Sequence, residues 1–257
     1  MEISIRQRTA LILSGILALF LAAGAASHAD LIYTGSLQYT PPRPEDAGDE
    51  LKVGGPAGQW DDKTISFSWT VSDTDAAYVG FPWKYEYRVL LSGDDHAFSH
   101  LCLEASEGFD NTNITGITGA VLDCIGTQRL SGVANQGMPE KLYAIKFNPP
   151  GEGVTDWTLS FYSNRMPVWG DFYVRNGGHA GVINHAYNCN IPDNGIETGF
   201  LSPDIDPTFD PSLGTAENHY FYHILRPDSH VPEPGTLALV GTGLAGLVGI
   251  LLRRRMR

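Results

Sequence analysis

The sequence is poor in basic residues and rich in acidic ones. It contains 17 Lys and Arg residues against 29 Asp and Glu residues, which gives a net charge of −12 at pH 7. A surface this negative repels phosphate backbones, which argues against a nucleic-acid-binding protein. Hydrophobic residues still make up 42% of the chain, which suffices for a folded core.

The sequence also lacks the short motifs that mark common enzyme classes. It contains no G-x-S-x-G, no H-E-x-x-H, no phosphate-binding glycine loop and no C-x-x-C. We therefore expect a protein that is not an enzyme and that holds no cofactor. Asp204, Asp206 and Asp210 offer oxygen ligands of the kind that calcium prefers, but EF-hand spacing is absent. We interpret that segment as a solvated acidic loop, with calcium binding as the alternative.

Cysteine is scarce, with only Cys102, Cys124 and Cys189 in the chain. Three cysteines allow one disulfide in any of three pairings and leave one thiol over. Cys102 and Cys124 both lie in strand-like segments, on either side of a connection rich in Gly, Asn and Thr. We predict that these two form the disulfide, which would stabilise the fold by about 3 kcal/mol.

Long apolar runs occur only near the two ends of the chain. The first of them, 11–23, follows two arginines and precedes Ala-Ala-Ser-His-Ala-Asp, in which Ser27 and Ala29 satisfy the small-x-small rule. This pattern predicts a secretory signal peptide over residues 1–29, cut between Ala29 and Asp30. The alternative is an uncleaved membrane anchor. A cleaved chain would leave the reducing cytosol, so a disulfide could form.

The second apolar run spans 17 residues without a charge, 236–252. As a helix it would rise about 25 Å, which is at the short end for a bilayer crossing. A basic tail over residues 253–257 follows and predicts a cytoplasmic end that stops transfer through the membrane. The basic residues of this tail are Arg253, Arg254, Arg255 and Arg257.

Two prolines stand directly before this predicted transmembrane helix, in Val231-Pro232-Glu233-Pro234-Gly235. Proline lacks an amide hydrogen and biases the preceding residue away from helix, so the segment should be extended. The motif, the apolar helix and the arginine cluster together resemble the PEP-CTERM sorting signal of Gram-negative bacteria. The alternative is a C-terminal anchor that is never processed.

This resemblance implies a partner and a destination. In the PEP-CTERM family the tail is recognised by exosortase, an integral-membrane enzyme, which cuts at or near the motif and releases the body toward the cell surface. The family tends to occur in bacteria that make exopolysaccharide. The resemblance therefore implies a chain that is exported through the inner membrane, anchored transiently by its helix, and then found at the surface or outside the cell.

Between the two ends, the hydrophobic pattern has a period of two residues. In Ile65-Ser66-Phe67-Ser68-Trp69-Thr70-Val71 the large apolar side chains alternate with small hydroxyls, which is typical of a half-buried strand. We predict an all-β ectodomain over 30–225, an antiparallel β-sandwich of jelly-roll-like character, joined to the membrane by a linker over 226–235. Strands are predicted at 31–40, 64–71, 85–89, 98–104, 120–125, 143–147, 157–162, 170–175 and 219–225. The segments 41–61 and 187–217 are predicted to be long loops.

Two aromatic segments are candidates for binding. Trp169, Phe172 and Tyr173 could contact a glycan through exposed rings, and the alternative is that they belong to the core. His219 and His223 share one face of a predicted strand and could bind zinc, but no third ligand is evident, so we interpret them as polar residues on an outer face. The first expectation for function is a non-enzymatic surface or extracellular-matrix protein associated with exopolysaccharide. The alternatives are a carbohydrate-binding module and a secreted polysaccharide-active enzyme.

Overall fold

The computed structural model describes residues 31–41, 50–56, 59–75, 77–93, 96–129, 135–177, 183–188 and 222–227. Contacts divide the chain into Met1–Leu31 and Ile32–Arg257, and every described strand lies in the second unit. Among the described residues, no helix is long and apolar enough to cross a bilayer. The predicted signal peptide and the predicted transmembrane helix over 236–252 lie outside these residues.

The described residues form thirteen strands and two single 3₁₀ turns. Every strand pair is antiparallel, so the all-β, antiparallel prediction is confirmed. The strands are β1 (Ile32–Tyr39), β2 (Leu51–Gly54), β3 (Ile65–Ser72), β4 (Trp83–Leu91), β5 (Phe98–Glu104), β6 (Ile114–Thr118), β7 (Val121–Gln128), β8 (Leu142–Asn148), β9 (Asp156–Ser163), β10 (Pro167–Gly170), β11 (Phe172–Asn176), β12 (His185–Asn188) and β13 (Ile224–Pro227).

These strands make two large sheets and one small ribbon. Sheet 1 has the order β1-β3-β4-β9-β6, and sheet 2 has the order β2-β12-β11-β5-β8-β7. The ribbon pairs β10 with β13, so that Val168 lies opposite Arg226 and Gly170 opposite Ile224. The last described strand is therefore held by a segment that lies more than fifty residues earlier in the chain.

The alternation in β3 follows the sequence pattern. Its apolar residues from Ile65 to Val71 are buried, whereas the intervening Ser66, Ser68 and Thr70 are only partly buried. Strand β4 alternates in the same way, with Tyr85 and Tyr87 buried. A period of two places successive side chains on opposite faces of a sheet, so each of these strands has one apolar and one polar face.

The apolar faces of the two sheets share one hydrophobic core. Phe67 of sheet 1 stacks on Phe172 of sheet 2, with 4.0 Å between ring centroids and 23° between ring planes. Phe161 of sheet 1 likewise stacks on Phe147 of sheet 2 at 5.5 Å. Full burial of such a side chain contributes roughly 1.5–3 kcal/mol, so these contacts are a main source of cohesion between the sheets.

Several strands lie where the sequence predicted loops. Strands β2 and β12 fall within or at the start of the predicted loops 41–61 and 187–217, and β6 was not predicted. Strands β2 and β12 pair with each other, so that Leu51 lies opposite Asn188 and Val53 opposite Ala186. Each of them has only four residues, and a segment that short shows too little periodicity to be recognised without its neighbour.

The chain passes from the ribbon into sheet 2 at Asp171. The sequence predicted one strand over 170–175, whereas β10 ends at Gly170 and β11 begins at Phe172. Similarly, the last strand was predicted over 219–225, but β13 runs from Ile224 to Pro227, into the predicted linker. Because of these two differences in strand boundaries, the charged residues Asp171 and Arg226 lie at the ribbon, where they belong to the cluster described below.

Candidate functional site

The residues predicted to act in sorting lie outside the described residues. The same holds for Cys189 and for the acidic segment proposed as a calcium alternative. The sorting and processing residues concerned are Ala29, Asp30, Val231, Pro232, Glu233, Pro234, Gly235, Arg253, Arg254, Arg255 and Arg257.

The predicted disulfide between Cys102 and Cys124 is not formed in the structure. Cys102 in β5 and Cys124 in β7 both lie opposite Lys146, so β8 separates them. Two strand spacings amount to about 10 Å, whereas a disulfide needs Cα atoms within about 7 Å. Cys102 is a buried thiol and Cys124 is an exposed one. Burial raises the pKa of the Cys102 thiol to about 12, so this group stays protonated.

The three aromatic residues predicted as a possible glycan contact are core residues. Trp169 is 6% exposed, and Phe172 and Tyr173 are fully buried. Trp169 meets the ring of Trp69 edge to face, with 6.3 Å between centroids. A pyranose can stack only on a ring whose face is open to solvent. The prediction that these residues contact a glycan is therefore wrong, because tertiary packing covers all three rings.

A buried polar cluster lies where the ribbon meets sheet 2, and we call it the Asp171 cluster. Its members are Asp171, Asn188, His223, Glu104 and Arg226. One carboxylate oxygen of Asp171, Oδ1, lies 2.7 Å from Nδ1 of His223 and accepts a hydrogen bond of 2.6 Å from the side chain of Asn188. The side chains of Asp171 and His223 are both 0% exposed. The sequence pattern predicted an outer face for His223, but the structure buries this residue.

A second charged pair adjoins the first. Nε of Arg226 lies 3.6 Å from Oε2 of Glu104, and the same carboxylate oxygen accepts a hydrogen bond from the backbone N–H of Asp171. Arg226 also donates to the hydroxyl of Ser106 at 3.1 Å. Gly170 makes this approach possible, because an added Cβ there would collide with the side chains of Arg226 and Glu104.

The Asp171 cluster connects five strands. Asp171 links β10 to β11, Asn188 ends β12, Glu104 ends β5, and Arg226 belongs to β13. The hydroxyl of Tyr87 in β4 adds a hydrogen bond of 2.8 Å to the backbone carbonyl of Leu225 in β13. Strand β13 is therefore attached both to sheet 1 and to sheet 2.

A histidine beside a carboxylate is a common element of general-base catalysis. In this cluster both partners are closed off from solvent, so a substrate cannot reach the imidazole. Buried charges are stable only when they are paired and hydrogen-bonded, and breaking such a pair leaves an uncompensated charge in the interior. The geometry is therefore suited to holding β13 in place.

Sequence reasoning missed this cluster, although a signal was present. Asp171 lies between Trp169-Gly170 and Phe172-Tyr173, and Arg226 follows Ile224-Leu225. A single charge inside a run of buried apolar residues requires an opposite charge or a hydrogen-bonding partner nearby. That rule identifies candidates for pairing, but it does not say which residue pairs with which.

Within the described ranges, no group of three or more His, Cys, Asp or Glu side chains is arranged to hold a metal ion. Residues 230–255 match the family model described as the PEP-CTERM protein-sorting motif. The chain carries a PEP-CTERM sorting signal. The resemblance predicted from Val231-Pro232-Glu233-Pro234 is thereby confirmed. No curated protein and no solved structure is detectably similar to this chain.

The PEP-CTERM motif implies processing by exosortase, a membrane enzyme, and export of the chain to the cell surface. It also lies close to the Asp171 cluster along the sequence. Strand β13 ends at Pro227, and the PEP-CTERM match begins at residue 230, so that only Asp228 and Ser229 lie between them. The cluster thus fixes the strand that leads directly into the sorting signal.

Proposed function

We propose that this chain is a non-enzymatic cell-surface or extracellular-matrix protein of a Gram-negative bacterium, associated with exopolysaccharide. It is exported with a signal peptide over residues 1–29 and sorted by an exosortase-type enzyme. The observation that carries the proposal is the PEP-CTERM match at residues 230–255.

The physical basis of sorting in this proposal is an unwound segment at the membrane surface. Pro232 and Pro234 each lack an amide hydrogen, so a helix over 236–252 cannot continue through them. The arginine cluster at 253–257 holds the other end of the helix on the cytoplasmic side. The membrane enzyme is then offered an extended peptide at a fixed depth.

The proposed body is a β-sandwich in which sheet 1 and sheet 2 pack face to face, with jelly-roll-like connections. The stacked pairs Phe67–Phe172 and Phe147–Phe161 support this arrangement. The complete burial of the Asp171–His223 pair supports a non-enzymatic body, because this carboxylate–imidazole contact attaches a strand and is closed to substrates.

The sorting proposal is tested by replacing the two prolines, as Pro232→Ala with Pro234→Ala, in a host that possesses exosortase. Alanine lets the helix extend upward from the membrane, so we expect the double variant to stay in the inner membrane at full length. The wild-type protein should be recovered outside the inner membrane, and mass spectrometry should find no peptide from the transmembrane segment in it.

The matched control is Pro149→Ala with Pro150→Ala, a second proline pair that lies in the turn between β8 and β9. This control variant should be sorted as efficiently as the wild type. Normal release of the Pro232/Pro234 variant would refute the role of the prolines. Recovery of intact C-terminal peptides from the surface pool would refute processing itself.

A further inference from the structure

An exposed aromatic side chain stands at the loop between β3 and β4. Tyr78 is 42% exposed, and the neighbouring Val79 is 99% exposed. A tyrosine at a loop tip usually turns freely, but this ring is packed. Its centroid lies 4.8 Å from that of Tyr162, with 53° between the two planes. The ring also lies against Gly116, where an added Cβ would collide with it. One part of the ring is therefore fixed, while the rest remains open to solvent.

The supporting ring is itself held by a carboxylate. The hydroxyl of Tyr162 donates a hydrogen bond of 2.5 Å to Oδ2 of Asp75. This hydrogen bond raises the pKa of Tyr162 to about 12, and it lowers the pKa of the Asp75 carboxyl below its ordinary value. The donor and acceptor roles of the pair are therefore constant across neutral pH. The pair keeps the loop that carries Tyr78 attached to sheet 1.

Charged side chains lie beside Tyr162, the ring that supports Tyr78. Nζ of Lys84 lies 3.8 Å from Asp75 and 3.9 Å from Glu86, and all three side chains are between 31% and 48% exposed. These groups supply both hydrogen-bond acceptors and a donor to a molecule lying on the ring. We call Tyr78, Tyr162, Asp75, Lys84 and Glu86 together the Tyr78 platform.

The polar face of sheet 1 continues the platform. Lys84 lies opposite Tyr162 in the β4–β9 pair, and Glu86 lies opposite Ser160. Ser160 is buried and its hydroxyl lies 2.8 Å from that of Thr118, whereas Glu86 and Arg88, which follow Lys84 on the same face of β4, are exposed. Successive residues on one face of a strand are about 6.8 Å apart, so polar groups repeat along this face at short, regular intervals. A chain molecule lying on Tyr78 would meet further hydrogen-bonding groups beyond it.

The chemistry of the platform selects its ligand. A flat ring with an open face attracts the apolar C–H face of a pyranose, and the surrounding carboxylates accept hydrogen bonds from sugar hydroxyls. Asp75 and Glu86 repel phosphate, sulfate and uronate groups, as does the overall charge of −12. The apolar surface at Tyr78 and Val79 is too small for a stable protein interface. These observations favour a neutral sugar over an anionic ligand or a protein.

We propose that the Tyr78 platform is a binding site for neutral pyranose units of an extracellular polysaccharide, with Tyr78 as the stacking residue. The proposal deepens the proposed function and rests on it for the source of the polysaccharide. It replaces the buried rings of Trp169, Phe172 and Tyr173 as the point of contact with glycan.

The test measures binding of the full-length chain, purified in detergent, to an array of neutral and uronic-acid-containing oligosaccharides. Retardation in native gels that contain a neutral polysaccharide gives an affinity. We expect neutral glycans to bind, and Tyr78→Ala to weaken binding about tenfold, which corresponds to about 1.4 kcal/mol for the lost stacking contact. Tyr78→Trp should retain binding because it keeps an aromatic face. Glu86→Gln should weaken binding less than Tyr78→Ala does.

The matched control is Val121→Ala, which truncates another exposed side chain, 56% exposed, in β7 of sheet 2. Equal thermal unfolding of the variants shows that losses of binding are local. If wild type binds neutral glycans but Tyr78→Ala binds as Val121→Ala does, the site is wrong, while the association with polysaccharide stands. Absence of binding to neutral glycans, or a preference for uronic acids, would overturn the inference. Sorting is measured separately by fractionation, so a failure of the proposed sorting can be distinguished from a failure of glycan binding.

Discussion

Asp171 is the residue on which the attachment of β13, the last described strand, depends. Its carboxylate binds His223 and Asn188, and its backbone N–H and C=O both bond to Glu104. All of these groups are buried, so no water replaces a lost partner. The contribution of this side chain to stability therefore depends on its burial, and a carboxylate at the surface would contribute much less.

We predict that Asp171→Asn lowers the free energy of unfolding by about 3 kcal/mol, as is typical when one partner of a buried charged pair is removed. Urea denaturation followed by tryptophan fluorescence measures this loss. The amide of the variant can still form a hydrogen bond with Asn188 or His223, but it carries no charge.

The control for this prediction is Asp156→Asn, which breaks the two-point contact of Asp156 with Arg88, 2.7 Å for each hydrogen bond. Both side chains of that pair are about half exposed, so the loss should be much smaller. Equal losses in the two variants would show that burial does not strengthen the Asp171 pair.

At the scale of elements, the turn between β6 and β7 carries the chain from sheet 1 to sheet 2. Gly119 lies in this turn at φ +69°, a left-handed conformation that favours glycine. An added Cβ there would also collide with the backbone carbonyl oxygen of Thr158. The backbone carbonyl of Gly119 accepts a hydrogen bond of 2.8 Å from the indole N–H of Trp157. The turn therefore has no room for a side chain.

We predict that Gly119→Ala destabilises the protein by about 3 kcal/mol, since backbone strain of about 1–2 kcal/mol adds to the cost of the collision. Thermal unfolding by circular dichroism measures it. Gly153→Ala is the matched control, because Gly153 has a similar φ of +74° but an added Cβ would meet nothing within 4 Å. Gly153→Ala should show the conformational cost alone. A Gly119 variant as stable as the Gly153 variant would contradict the clash.

For the molecule as a whole, histidines buried without charge make stability depend on pH. Burial, together with Lys146 and Arg175, lowers the pKa of His100 to about 3, although a hydrogen bond to Asn135 opposes the shift. Burial and Arg175 also lower the pKa of His185. Both histidines lie on the face of sheet 2 that points away from the shared core, beneath the segment that contains Asn135 and Gly137.

We predict that the free energy of unfolding falls by about 2.5 kcal/mol between pH 7 and pH 4.5 through His100. The folded pKa is lower than the unfolded value, so the unfolded chain binds the proton first. The stabilisation is complete above the unfolded pKa of 6.5 and is lost as pH falls toward about 3. Urea denaturation at several pH values measures the slope.

The variant His100→Gln can still form a hydrogen bond with Asn135. In this variant, the slope of the free energy of unfolding against pH should correspond to about one proton fewer taken up on unfolding. An unchanged slope in His100→Gln would show that His100 titrates normally in the fold.

The sequence by itself determined the sorting signal and the all-β class, because both depend on local order along the chain. The sorting signal is recognised from the spacing of Pro232, Pro234 and the arginines. The strand is recognised because apolar residues recur at every second position from Ile65 to Val71. Tertiary structure decided the partners. Whether Trp169 is exposed, whether Cys102 meets Cys124, and which charge meets Asp171 all depend on how strands order themselves in the sheets. That order is set by contacts between residues far apart in the chain, and these leave no periodic trace in the sequence.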